Sequence, residues 1–332
     1  MKKRFTLVGG ALVILFVVMN FIIVGISCAA EKYPSKPIRI IVTKSIGGSV
    51  DSAIRLLQPY LQTELGVPIV ILNSTSGGGR VAALEVFNSQ PDGYTLLAAP
   101  LPSAIVGQLM YKSEADFLKF TPVFNVMQTF QTITVDYNSK INSFRDLLEL
   151  AKTRRITLAG SGGAGSNASI VYAKLKQLGI KNLTNVPFPG APDTAAAVMG
   201  GHCDISSQST DGVLTYVENK TLKVLAVCSP ERIKFLPNVP TFKELGYDFI
   251  VPLTSSLFGP PKMAPDKVKI LNNAIRKVMA NKSLEATREK MNVALAPLDS
   301  DELAKLVREN YSMVESSLAF IKEADEQAKQ KK

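Results

Sequence analysis

The sequence predicts an α/β fold in which a second domain is inserted into the first. Short apolar runs typical of strands alternate with helical stretches over most of the 332 residues, as in parallel α/β layers. Apolar stretches near 129–137 and 251–261 interrupt this alternation, and the second carries a proline cluster. They predict two crossings, so that one domain comprises 31–132 and 252–332 and the inserted domain spans 133–251.

The individual strands are predicted from runs of β-branched and apolar residues bounded by turn residues. They lie at 38–42, 69–72, 95–98, 133–135, 156–159, 185–188, 204–208 and 223–227, with helices between them. A final helical region from Asp266 to about Ala328 is expected to pack on the N-terminal half.

Four apolar runs end in glycine-containing turns that lead directly into a helix. The turns are IGGSVD at 46–51, SGGGR at 76–80, GSGGAGS at 160–166 and PGAPD at 189–193. Each turn leaves a helix N-terminus with unpaired backbone N–H groups and the positive end of the helix dipole. Such ends bind anions, so the pattern predicts a bound carboxylate or phosphate more than it predicts catalysis.

Residues 1–30 form a leader with a basic start, a long apolar run and small residues around Cys28. This pattern is typical of an export signal, and the apolar run is also long enough to be an uncleaved anchor. VGISC at 24–28 is similar to a bacterial lipoprotein box, which predicts lipidation of Cys28; ordinary cleavage after Ala30 is the alternative. Either route places the rest of the chain outside the cytoplasm, close to the membrane.

The formal net charge of +10 does not indicate a nucleic-acid-binding protein. Three of the positive charges lie in the leader, and the other Lys and Arg residues are spread among acidic ones without a recognised motif. We therefore expect no nucleic-acid partner.

The cysteines and the single histidine offer little for catalysis. Cys203 begins one predicted strand and Cys228 ends another, so parallel strands would hold their sulfurs about 15 Å apart and leave two separate buried thiols. His202 lies in a glycine turn and is expected to be solvated. Without a second histidine the usual zinc motifs are missing, and a serine triad is possible only if His202 itself serves as its base. A secreted enzyme using Cys203 or His202 remains the alternative from a different class.

A dinucleotide site is disfavoured although residues 160–165 match G-x-G-x-x-G. That site requires an acidic residue about 20 positions later to bind the ribose, and no Asp or Glu occurs between Gly165 and Asp193. No cofactor and no metal are expected.

Several polar residues at the glycine turns could either contact a ligand or only stabilise a turn. Asp51 is expected to interact with the dipole of its own helix, and Asp204 to brace a strand end. Ser161, Ser166 and Asn167 could orient a carboxylate through hydroxyl and amide groups, with helix capping as an equal alternative.

The sequence resembles the substrate-binding proteins of tripartite tricarboxylate transporters, also called Bug proteins, from Tyr33 to about Ser316. The resemblance rests on YPSKPIRIIV at 33–42, GGSVD at 47–51, NSTSGGG at 73–79, QPDGYTLL at 90–97, GSGGAGS at 160–166, PFPGAP at 187–192, GGHCD at 200–204 and, most specifically, LAVCSPERIKFLPNVPTFKELGY at 225–247.

This resemblance implies a type II periplasmic-binding-protein fold, in which two domains joined by two crossing strands close around one small ligand. Ligands of the family are di- and tricarboxylates, acidic amino acids and some aromatic or amide compounds. Carried onto matching positions, the first domain would contact the ligand through Gly47, Gly48, Ser49, Gly77, Gly78 and Gly79, and the second through Ser161, Gly163, Ser166, Asn167, Gly190 and Ala191.

Two cations mark departures from the family pattern. Lys44 lies where the first loop usually has an aromatic residue between prolines, and Arg80 occupies a position that is more often uncharged. A lysine common before the fourth of these helices is replaced by Pro189. We hypothesise that Lys44 or Arg80 supplies the cationic partner lost at Pro189; the alternative is that both are solvated.

The predicted function is that of a non-enzymatic, extracytoplasmic solute-binding protein. It would capture a small organic anion by domain closure and deliver it, as a monomer, to the integral-membrane subunits of a tripartite transporter. A receptor that passes the signal to a sensor kinase is the alternative within the same fold.

Overall fold

The computed structural model describes residues 32–161, 165–188, 190–290 and 295–329. Within them the chain forms one mixed sheet of ten strands. The strands are β1 Ile38–Val42, β2 Ile69–Asn73, β3 Thr95–Ala99, β4 Thr121–Asp136, β5 Ile156–Ser161, β6 Leu183–Phe188, β7 Ile205–Ser209, β8 Leu222–Val227, β9 Pro252–Gly259 and β10 Leu295–Leu298.

Helices follow most of the strands. They are α1 Ser49–Leu65, α2 Arg80–Phe87, α3 Ser103–Tyr111, α4 Phe144–Thr153, α5 Asn167–Gln177, α6 Ala191–Met199, α7 Thr210–Glu218, α8 Pro265–Met279, α9 Lys282–Lys290 and α10 Ser300–Lys329. A short 3-10 turn, Ser76–Gly79, precedes α2. The predicted α/β class is confirmed.

The long strand β4 joins two halves of the sheet. Residues 121–130 of β4 pair antiparallel with β9, and residues 131–136 pair antiparallel with β7 and β8. We call β1, β2, β3, β9, β10 and the first part of β4 the first half, and β5 to β8 with the rest of β4 the second half. Each half contains a parallel core, β2-β1-β3 and β6-β5-β7.

All eight predicted strands are present, but three features of the sheet were not predicted. β4 has sixteen residues rather than three, and β9 and β10 were missed. Nearly continuous burial of β4 removes the alternation that marks a strand, and its many Thr, Asn and Gln residues imitate a loop. In β9 the buried hydroxyls of Thr254 and Ser256 hydrogen-bond to each other, and that of Ser256 also bonds to Asn125 of β4.

The C-terminal helices pack on both halves, so the expectation that the helical tail packs on the N-terminal half needs correction. Lys277 of α8 pairs with Glu64 of α1 at 2.7 Å, as expected. In contrast, α10 packs against α5 and β6 as well as α3: the hydroxyl of Tyr172 donates to Glu323 at 2.7 Å, and the backbone N–H of Asn185 donates to Gln327 at 3.0 Å. The domain boundaries themselves remain a prediction.

Each half has its own aromatic cluster. In the first half the rings of Phe117 and Phe258 meet edge to face with centroids 5.5 Å apart. In the second half Phe242 lies 4.7 Å from Phe144 and 4.3 Å from Phe249, which fixes the long segment between β8 and β9 onto α4. These cores hold the strand ends, and therefore the glycine turns, in place.

Candidate functional site

All four helices begin at the predicted glycine turns, at the carboxyl ends of β1, β2, β5 and β6. The residues at the N-cap positions are Gly48, Gly79, Ser166 and Gly190, and none of them makes a side-chain capping hydrogen bond within the described part of the chain. The N–H of Arg80 donates to the carbonyl of Ser76, whereas at the other three starts the missing side-chain cap leaves the first N–H groups to ligand atoms or water. This confirms the predicted uncapped starts.

The loop after β1 is held by the carboxylate of Asp51, which is 1% exposed. Asp51 accepts hydrogen bonds from the backbone N–H of Gly47 at 2.9 Å, from Arg55 at 2.9 Å and from Asn73 at 2.8 Å. Asn73 also donates to the carbonyl of Lys44 at 3.0 Å. Burial raises the Asp51 pKa, but these hydrogen bonds outweigh it and the pKa is lowered. Asp51 therefore positions the loop that carries Lys44, Gly47, Gly48 and Ser49.

The SGGG turn is packed against the end of β1. Gly77, Gly78 and Gly79 all have positive φ, which disfavours other residues. A Cβ atom on Gly79 would lie 2.6 Å from the Cβ of Thr43, so only glycine fits there. The loops after β1 and β2 consequently meet at Thr43.

Lys44 and Arg80 line one small cavity of about 20 Å³, together with Thr43, Ser103 and Gln108. The Arg80 guanidinium lies 3.8 Å from the ring centroid of Tyr111. Neither cation forms an ion pair with any residue in the described ranges. Burial lowers the pKa of Lys44. The structure thus brings together the two cations singled out from the sequence.

The loop after β5 approaches the same region. A Cβ on Gly165 would lie 3.5 Å from Cγ1 of Val106 and 3.9 Å from the backbone nitrogen of Gly107. Gly107 also neighbours Arg80, because a Cβ atom added to Gly107 would lie 3.8 Å from Cγ of Arg80. Hence Gly165 and Arg80 share a neighbour on α3.

The remaining predicted contacts lie at the carboxyl edge of the second half. Ser161 ends β5, Ser166 and Asn167 begin α5, and Gly190 and Ala191 begin α6. The Ser166 hydroxyl lies 3.4 Å from that of Ser169. Three residues named from the sequence, Cys28, Gly163 and Pro189, lie outside the described residues.

The residues considered for catalysis are placed as predicted. His202 is exposed in its turn, whereas Cys203 and Cys228 are buried thiols without a disulfide, with β4 between their strands. Burial raises the pKa of Cys228, which keeps that thiol protonated and unreactive. Asp204 accepts from Arg154 and from the backbone N–H of Thr157, and so braces β7 against β5. The described residues contain no cluster of metal-ligating side chains.

Sequence reasoning missed two polar residues at the end of β7. Oε1 of Gln208 and Oδ1 of Asp211 are buried and have no hydrogen-bond partner among the described residues, like Oδ1 of Asn167 nearby. The signal was available in the composition of β7, because ISSQS is unusually polar for a strand that is buried along most of its length.

Comparison with known proteins identifies the family. The family model described as the tripartite tricarboxylate transporter family receptor, TctC, matches residues 53–324. The chain belongs to this family. It is 28% identical to protein BugT of Bordetella pertussis over 264 residues, which cover 77% of this chain and 80% of BugT.

Solved structures of TctC receptors share the fold. A TctC solute binding protein from Polaromonas is 25% identical, with a TM-score of 0.78 over 86% of this chain and 99% of that protein. MatC from Rhodopseudomonas palustris, solved with bound malate, is also 25% identical, with a TM-score of 0.69 over 86% of this chain and 99% of MatC. The chain is therefore a solute-binding receptor and not an enzyme. Among the described residues, no helix of this TctC receptor has the length and apolarity needed to cross a membrane.

Proposed function

We propose that this receptor captures a small organic anion, with at least one carboxylate, between the two halves of its sheet. One observation carries the proposal: two cations without acidic partners, Lys44 and Arg80, line a cavity at the strand ends where uncapped helices begin. Malate bound to the related MatC supports the same ligand chemistry.

The first half supplies the cationic contacts. A carboxylate between the ammonium of Lys44 and the guanidinium of Arg80 would replace the water that each cation loses on burial. Because the Lys44 pKa is lowered by burial alone, a nearby carboxylate would raise it again. Stacking on Tyr111 leaves the edge of the Arg80 guanidinium available for hydrogen bonds.

Backbone N–H groups supply the other contacts. Each charge-assisted hydrogen bond from a helix start to a carboxylate is worth about 1.5–3 kcal/mol. The residues that we propose to surround the ligand are Lys44, Gly47, Gly48, Ser49, Gly77, Gly78, Gly79 and Arg80 of the first half, with Ser161, Gly163, Ser166, Asn167, Gly190 and Ala191 of the second half.

Capture would occur when two domains close on each other. One domain comprises residues 31–132 and 252–332, and the other comprises residues 133–251. The chain passes between the halves in β4 and again just before β9, so bending at these two places would bring the loops after β5 and β6 toward the loops after β1 and β2. The loaded receptor, a monomer outside the cytoplasm that is anchored through a lipid on Cys28, would then deliver its ligand to the membrane subunits of the transporter.

A binding screen tests the proposal. We expect calorimetry and thermal unfolding of the purified protein to show saturable stabilisation by C4 dicarboxylates or citrate, of about 2.7 kcal/mol at 100 times the dissociation constant. The double variant Lys44→Ala, Arg80→Ala should lose at least about tenfold in affinity, since it lacks both charged hydrogen bonds.

Lys36→Ala is a matched control, because Lys36 is an exposed cation that is paired with Asp92. An unchanged affinity in the double variant would contradict the role of these cations. Failure of every carboxylate to bind would contradict the proposed function.

A further inference from the structure

Unpartnered acceptor oxygens gather at the carboxyl edge of the second half. Gln208 is 3% exposed, and its Nε2 already lies within 3.4 Å of the Ser206 hydroxyl, so its Oε1 is the atom without a donor. The carboxylate of Asp211 can only accept hydrogen bonds, and its buried Oδ1 also has no donor in the described part of the chain. Buried acceptors in this state are costly unless a bound group donates to them.

The topology brings these oxygens to one edge. β5 and β7 are parallel neighbours, with Gly160 opposite Ser207, so the next pair places Ser161 beside Gln208. Asn167, whose Oδ1 is likewise buried and unpartnered, begins the helix after β5, and Asp211 lies in the first turn of the helix after β7. Helices that follow neighbouring parallel strands begin at the same edge of the sheet.

This edge adjoins the junction between the halves. The backbone N–H of Phe130 donates to the Thr210 hydroxyl at 3.4 Å, and Phe130 is the residue at which β4 changes its partner from β9 to β7. The loop after β5 also reaches Gly107, which neighbours Arg80. Thr210 and Gly165 of the second half therefore both lie against residues of the first half, and Gly165 does so next to a neighbour of Arg80.

We infer that the ligand is a carboxylate that also carries a hydrogen-bond donor, a hydroxyl or a protonated amino group, and that Asp211 with Gln208 binds this donor. The inference rests on the proposed function, since it assumes that the carboxylate lies near Lys44 and Arg80. A carboxylate without such a donor would leave the acceptors of the second half unpaired, which disfavours its binding.

The test compares three ligands that share two carboxylates and the same four-carbon chain: succinate, its 2-hydroxy derivative malate and its 2-amino derivative aspartate. Calorimetry on the purified protein should show malate or aspartate binding at least about tenfold more tightly than succinate, as expected for one charge-assisted hydrogen bond. Asp211→Ala should reduce this preference below about threefold, because malate and aspartate lose an acceptor while succinate no longer leaves that acceptor unpaired and binds more tightly.

Glu218→Gln is the matched control, because it removes an exposed carboxylate from the last turn of the same helix and should keep the full preference. Circular dichroism and thermal unfolding check that each variant is folded, and Gln208→Leu provides an independent variant if Asp211→Ala does not fold. Equal affinity for all three ligands would overturn this inference, because it would mean that water donates to the oxygens of Gln208 and Asp211. The proposed function would still stand in that case. If none of the three bound, this inference would fail, and the proposed function would fail as well only if citrate and the other carboxylates of the binding screen also did not bind.

Discussion

Two aspartates, the buried Asp51 and the partly buried Asp204, use the same chemistry at opposite ends of the strands. Each accepts hydrogen bonds from an arginine, a neighbouring polar side chain and a backbone N–H. In both cases burial raises the carboxyl pKa and the hydrogen bonds lower it, and the net change is a lower pKa. Asp51 lies at the carboxyl end of β1, beside the proposed ligand, whereas Asp204 lies just before the amino end of β7.

The two aspartates have similar hydrogen bonds, so we expect position, rather than bonding, to decide whether each carboxylate affects ligand binding. Asp51 fixes the loop that carries Lys44, through Gly47 and through Asn73. Asp204 fixes the start of β7, at the end of the strand away from Gln208. We therefore expect both residues to stabilise the fold and only Asp51 to contribute to ligand affinity.

Asp51→Ala is expected to have the largest effect. Removing a carboxylate that is 1% exposed takes away the acceptor of the Gly47 N–H and leaves the Asn73 amide with only the Lys44 carbonyl, at a cost of about 3–4 kcal/mol in the free energy of unfolding. Arg55 is 40% exposed and can be solvated, which limits the loss. Malate affinity should fall at least about tenfold, because the Lys44 loop loses its preorganisation. Urea unfolding and calorimetry measure the two effects.

Gly79→Ala tests whether the loops after β1 and β2 form one packed unit. The new Cβ would overlap Thr43 in a residue with a φ of +92°, and we expect unfolding to become easier by about 2–3 kcal/mol. Gly179→Ala is the matched control, since Gly179 has a similar φ of +96° but no atom within 4 Å of the added Cβ. It should cost about 1 kcal/mol. Equal losses in urea unfolding would show that strain alone, and not contact with Thr43, requires glycine at position 79.

Most of the fold could be predicted from the sequence, because it rests on local signals. Short runs of β-branched residues predicted the parallel strands. Glycines predicted the helix starts, because a positive φ or a close contact excludes other residues at some of these turns. β9 and β10 were missed because they pair with β4, which lies far away along the chain.

The candidate site was predicted less completely. The sequence singled out Lys44 and Arg80 as unusual, but only the structure shows that they line one cavity. Gln208 and Asp211 were missed because the polar composition of β7 indicates only that something unusual lies there, whereas the lack of a hydrogen-bond partner is a property of the folded chain.

Asp204→Ala is expected to have a smaller effect on stability and none on binding. Asp204 and Arg154 are 19% and 47% exposed, so water can replace part of what the variant loses, and we expect a cost of about 1–2 kcal/mol. Malate affinity measured by calorimetry should stay within about twofold of the unmodified protein. A loss of affinity as large as that of Asp51→Ala would contradict the distinction between the two aspartates.

The pH dependence of stability should be the same for both aspartates despite their different positions. Both folded pKa values are lowered, so each carboxylate stabilises the fold above its unfolded pKa of about 3.9, and this contribution disappears as the pH falls through the folded pKa. The stability difference between the unmodified protein and Asp51→Asn, Asp204→Asn should therefore remain constant from about pH 7 to 5 and shrink below about pH 4. Urea unfolding at each pH measures it, with Glu218→Gln as the exposed control. A difference that persists unchanged at about pH 2.5 would mean that the two aspartates stabilise the fold through packing rather than through their charge.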